Sequence, residues 1–161
     1  MRMTAEPQGI LTRRYTVMVA GAPETEISFP ALGPSTATPI AGVLYRMRRV
    51  GVLREQFTLT CDDGGTHIIA SATQRDPMRR DFTVSMGRRT LNLRARSLLS
   101  SDYLLFDGKR ATGELRLAGP LRRGAQATLP DDLPLEACVF VLWVVLSLWR
   151  GRRVTWANVA H

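Results

Sequence analysis

Arginine is the residue type with the most chemical reach in this chain. It supplies every basic side chain but Lys109 among 22, and the formal net charge is +8 with a pI near 10.9. A guanidinium stays charged and presents a planar fork to phosphate or carboxylate oxygens. Spacing sorts these residues. Arg46, Arg48 and Arg49 fall on one predicted strand, Arg94 and Arg96 on the outer face of another, and Arg116 on that of a third. Arg79, Arg80, Arg88, Arg89, Arg122 and Arg123 sit near turns. If neighbouring strands align their outward residues, Arg46, Arg48, Arg49, Arg94, Arg96 and Arg116 form one basic face able to hold phosphate groups. The plainer reading is a solvated sheet exterior with some ion pairs, which needs no ligand.

Other chemistries find little material. His67 and His161 are the two histidines, and no motif supplies either with the partner that a general base requires. No nucleophile elbow, phosphate-binding loop, dinucleotide fingerprint or Cys/His zinc spacing occurs in the sequence. Asp62-Asp63 and Asp131-Asp132 suggest a hard cation, but a turn explains the first pair and a helix cap the second. The expectation is therefore a non-enzyme with no catalytic residue, no metal and no cofactor. Cys61 and Cys138 read as reduced core residues, one on an inward strand position and one in an apolar helix.

The elements that would position the arginines follow from the apolar pattern. Residues 1–9 read as a flexible polar tail. From Ile10 the chain alternates, with Tyr15, Val17 and Val19 on one face, and a short strand follows at Glu26–Phe29. Ala31–Pro39, rich in Pro, Ser and Thr, reads as a loop. Regular alternation then resumes at Val43/Tyr45/Met47, Phe57/Leu59/Cys61, Ile68/Ala70, Phe82/Val84/Met86, Leu91/Leu93/Ala95, Tyr103/Leu105 and Leu115/Leu117. Asp62-Asp63-Gly64-Gly65, Gly87 and Asp107-Gly108 supply the turns. Roughly ten strands at this spacing indicate an antiparallel barrel or sandwich. Last comes the run Ala137–Trp149, ACVFVLWVVLSLW, within a helix expected over 133–150 and followed by a tail over 154–161. As a helix the run extends about 20 Å, short of the roughly 30 Å of a bilayer core, so it is read as buried in protein. Trp143 and Trp149 then fill the interior rather than anchor at a membrane interface.

The stretch Tyr45–Gly64, YRMRRVGVLREQFTLTCDDG, resembles the repeating strand-turn-strand phrase of the Tubby-like superfamily, especially LURP-one-related proteins and phospholipid scramblases. The aromatic-basic opening Tyr45-Arg46-Met47-Arg48, the leading Phe57 and the turn Asp62-Asp63-Gly64 carry the likeness, which covers roughly Tyr45–Arg153. It implies a mainly β, α+β fold: a closed antiparallel barrel of about twelve strands around one hydrophobic C-terminal helix, with residues 10–153 as a single domain. No phosphoinositide-binding motif of that family is matched, so no ligand residue follows from the resemblance.

The expected function is a non-enzymatic Tubby-like binding module. It would engage anionic lipid headgroups or an acidic partner through the arginine-rich strand faces, as a cytoplasmic protein peripheral to the membrane. A membrane-inserted, scramblase-like protein is the alternative that the apolar helix motivates. A nucleic-acid binder is the alternative that charge motivates, weakened because the aromatics fall mostly on inward strand positions.

Overall fold

The computed structural model describes residues 1–9, 13–30, 33–51, 54–62, 67–76, 78, 80–117 and 124–159, the last eight as backbone alone. Twelve strands run β1 (Arg2–Pro7), β2 (Arg14–Val19), β3 (Ala22–Ser28), β4 (Ser35–Ile40), β5 (Val43–Val50), β6 (Gln56–Cys61), β7 (Ile68–Asp76), β8 (Asp81–Met86), β9 (Arg89–Ala95), β10 (Tyr103–Asp107), β11 (Arg110–Leu117) and β12 (Ala125–Thr128); α1 (Leu135–Val159) follows. They form one antiparallel sheet in the order β3-β2-β1-β12-β11-β10-β9-β8-β7-β6-β5-β4. The sheet curls until its edge strands β3 and β4 lie side by side. The result is a nearly closed barrel around α1, the mainly β fold expected.

Inward residues alternate along the strands. Phe57, Leu59, Phe82, Val84, Leu91, Leu93, Tyr103, Leu105 and Leu115 are buried and pack round the helix. All of Ala137–Leu146 is buried, which explains why this stretch has no polar face. Each large side chain taken from water contributes about 2 kcal/mol. Trp143 meets Phe57 edge-on at 5.5 Å and stacks with Phe140 at 6.2 Å, so the tryptophan fills the interior. No described helix is long and apolar enough to cross a membrane.

Four expectations need correction. Residues 2–7 are not a tail: β1 pairs with both β2 and β12, and its inward Met3 and Ala5 are buried. The N-terminal strands β1–β3 therefore belong to the barrel wall and extend the sheet to its β3 edge. Ser35–Ile40 is not loop but β4, with Thr36, Thr38 and Ile40 inward. Threonine is β-branched and suits a strand, while the carbonyl of Pro39 faces β3 and accepts from Thr25 Oγ1, so the missing N–H lies on the unladdered edge. Residues 154–159 continue the helix; Gly151 is an interior glycine costing about 1 kcal/mol rather than a stop. Asp131 and Asp132 do not cap the helix either. Asp131 meets the Met1 amino group, and Asp132 lies 2.6 Å from Arg89 Nη1. Both cysteines are free, Cys138 buried and Cys61 half-buried.

Candidate functional site

Strand direction gives the barrel two unlike ends. At the end where α1 begins, most strands join by two-residue turns. Ala20-Gly21 and Ala41-Gly42 both hold positive φ (51° and 81°, 49° and 80°), the pairing of a type I′ hairpin. Arg89 there reaches Asp107 at 3.0 Å and Asp132 at 2.6 Å, and these bonds raise its pKa further. Burial, then the charges of Glu136 and Cys61, raise that of Tyr45. A cavity of about 560 Å³ at this end is lined by His67, Arg89, Asp132 and Glu136 among others, so carboxylates outnumber guanidiniums.

Longer loops close the opposite end, where α1 passes out. Their described charges are Arg13, Arg54, Arg80 and Arg96 against Glu55 and Asp102. The loop between β5 and β6 turns on Gly51 at φ 114°, where a Cβ would stand 1.9 Å from the Arg54 carbonyl oxygen. The loop between β9 and β10 is tied by Arg96 N–H to Asp102 O at 2.9 Å and by Ser100 N–H to Ser97 Oγ at 3.1 Å. Those bonds turn Leu98 and Leu99 outward, 68% and 95% exposed, and Met78 on the neighbouring loop is 83% exposed. Arg80, in the left-handed region at φ 50°, joins the two loops. Its Nη2 donates to the carbonyls of Ser97 (2.8 Å), Leu98 (3.1 Å) and Ser100 (2.7 Å), and its guanidinium lies 5.7 Å from the Tyr103 ring centre.

The six arginines expected to form one face do not. Three strands separate β5 from β9, about 19 Å of sheet at normal strand spacing. Arg46 makes a two-pronged bond to Asp62 (3.3 and 3.1 Å) and donates to Ser35. Arg48 is exposed. Arg49 has the inward parity of Met47; it pairs with Glu55 and stacks over Phe57 at 5.4 Å. Arg94 lies 3.6 Å from Asp81 and over Phe106. Arg96 and Arg116 share Glu114, which raises the Arg116 pKa by its hydrogen bond. What five of the six share is an end: Arg48, Arg49, Arg94, Arg96 and Arg116 lie toward the long loops, and only Arg46 is tied to the turn end. Of the turn-associated arginines, Arg79, Arg122 and Arg123 are outside the described residues, as are Asp63 and His161.

Two cavities open at the loop end on either side of Arg49. One, about 280 Å³, is lined by Glu55, Gln74, Arg80, Phe82, Tyr103 and Leu148. The other, about 410 Å³, lies under the β3–β4 seam against Phe29, Thr36, Trp143, Ser147 and Arg150. Arg150, absent from the expected set, stacks over Phe29 at 4.6 Å. Its position one residue beyond the apolar run was the available signal. Among the described residues no group of three His, Cys, Asp or Glu side chains could hold a metal ion. No family model matches the chain, and neither the curated proteins nor the solved structures contain a match.

Proposed function

We propose that the chain is a non-enzymatic, Tubby-like binding module that docks its loop end on an anionic lipid surface. The observation carrying this reading is the pair of clamped loops that hold Leu98, Leu99 and Met78 largely in water at the end where arginines gather. Water is an unfavourable place for three large apolar side chains, and a membrane interface offers burial. The surrounding guanidiniums contribute about 1 kcal/mol each near an anionic leaflet, a term that salt screens. Two signals, one apolar and one electrostatic, make a reversible anchor. The apolar helix motivates no insertion, because the barrel interior already buries Ala137–Leu146.

Vesicle flotation tests the proposal. The protein is expected to float with phosphatidylcholine–phosphatidylserine vesicles, to remain behind with phosphatidylcholine alone, and to be released by rising salt. Equal flotation with both vesicle types, or none with either, would reject it.

A further inference from the structure

The loop end carries a reactive group that vesicle docking by itself does not use. The chain has six methionines, all within the described residues, and the fold treats them unequally. Met3 and Met47 face the core at 1% and 0% exposure. Met1, Met18 and Met86 are half-buried. Met78 alone of the six stands in water, 83% exposed, on the loop between β7 and β8. Peroxides convert a methionine thioether to a sulfoxide, and a sulfur in water meets them before a buried one does.

Local bonds hold Met78 beside the two exposed leucines. Its backbone N–H donates to Asp76 Oδ1 at 3.0 Å, which fixes the turn out of β7. Two residues on, Arg80 donates to the carbonyls of Ser97, Leu98 and Ser100 and so ties this loop to the one between β9 and β10. Met78, Leu98 and Leu99 therefore belong to one clamped apolar surface. Leucine is inert to peroxide. The methionine is the member of the three whose polarity can change while the chain stays intact.

The fold and the docking surface feel that change differently. So exposed a side chain gives up little packing when oxidised, whereas a sulfoxide at Met3 or Met47 would set a polar group among core residues. On the docking surface the sulfoxide keeps the side chain neutral but adds a polar acceptor oxygen. The gain that a lipid interface offers the thioether is then lost. The surrounding guanidiniums keep their charge.

We propose that Met78 is a redox modification site that sets how tightly the loop end holds an anionic lipid surface, an inference that rests on the docking reading above. A hydroperoxide passes one oxygen to the Met78 sulfur: the O–O bond breaks, an S–O bond forms, the sulfur loses an electron pair, and water or an alcohol leaves. A thiol-dependent sulfoxide reductase reverses the step, its thiols ending as a disulfide and the oxygen as water.

The test treats the whole chain, as Cys61→Ser, with limiting hydrogen peroxide and maps the added oxygen by peptide mass spectrometry. Flotation with phosphatidylcholine–phosphatidylserine vesicles follows over a salt series. Oxygen is expected at Met78 before Met1, Met18 or Met86, with the melting midpoint unchanged. Oxidised protein should bind about ten-fold more weakly at every salt concentration, with the same salt dependence because no charge has changed. Sulfoxide reductase restores the affinity, and Met78→Leu binds like untreated protein before and after peroxide. Oxidation of a half-buried methionine as fast as Met78, undiminished flotation once Met78 is oxidised, or an equal loss in Met78→Leu would overturn the proposal. Untreated protein that fails to float with anionic vesicles rejects the docking reading and the switch together; untreated and oxidised protein floating alike rejects the switch alone.

Discussion

The two ends of this barrel are built from the same strands and yet differ in almost every respect that matters for recognition. The end where α1 starts is stitched by short turns and by Arg89 spanning Asp107 and Asp132. Its cavity has surplus carboxylate, and its exposed apolar side chains, Val43, Leu44 and Ile68, are only about half in water. The other end has long loops, an excess of guanidinium, two cavities flanking Arg49, and three apolar side chains held in water. An antiparallel meander places every second connection at the same end, so loop length and charge can be separated without altering the sheet. One end thereby carries the tight turns while the other carries the long loops and most of the strand-end guanidiniums.

Substitutions can break that comparison. The largest effect is expected from the interior that both ends share. Trp143→Ala removes the ring packed on Phe57 and Phe140 and should cost about 3–5 kcal/mol in denaturant unfolding. Gly51→Ala forces a Cβ onto the Arg54 carbonyl at positive φ and should cost about 1–3 kcal/mol. The same change at Gly42, where a Cβ meets nothing, costs only the backbone strain, about 1 kcal/mol, so the loop end is the more sensitive. Leu98→Ser/Leu99→Ser should leave unfolding unchanged and weaken anionic-vesicle binding about ten-fold, roughly 1.4 kcal/mol. Val43→Ser/Leu44→Ser at the turn end, where these side chains are also exposed, should leave vesicle binding intact. The smallest effect is Asp132→Asn: one of the two partners of Arg89 is lost at an exposed site, and the melting midpoint should fall by what an ion pair worth under about 1 kcal/mol allows.

Alternation and turn chemistry made much of this architecture legible in the sequence. Phe57/Leu59, Phe82/Val84 and Leu91/Leu93 face inward as their spacing requires, and the apolar run is the buried helix. The strands that escaped notice had weak apolar signals: β1 offers only Met3 and Ala5 inward, β12 only two alanines, and β4 hides its alternation in threonines. The site was less legible, because a basic face depends on which strands are neighbours. Arg46 and Arg94 look alike along the chain, yet three strands stand between theirs. The inward turn of Arg49 follows from its parity with Met47, but spacing could not reveal that it lines one cavity with Arg150, or that the Trp143 N–H lacks a partner among the described residues. Those depend on how the sheet closes over the helix.

The most direct measurement asks which end meets lipid. An environment-sensitive fluorophore is attached at Leu99→Cys or at Lys109→Cys, one at each end, in a Cys61→Ser background. The native Cys138 stays unlabelled because burial pushes its thiol up to about 11. On phosphatidylserine-containing vesicles the probe at position 99 should brighten and shift to shorter wavelength while the probe at 109 does not change. An equal response at both positions, or a response at 109 alone, would contradict the assignment of the loop end as the binding surface.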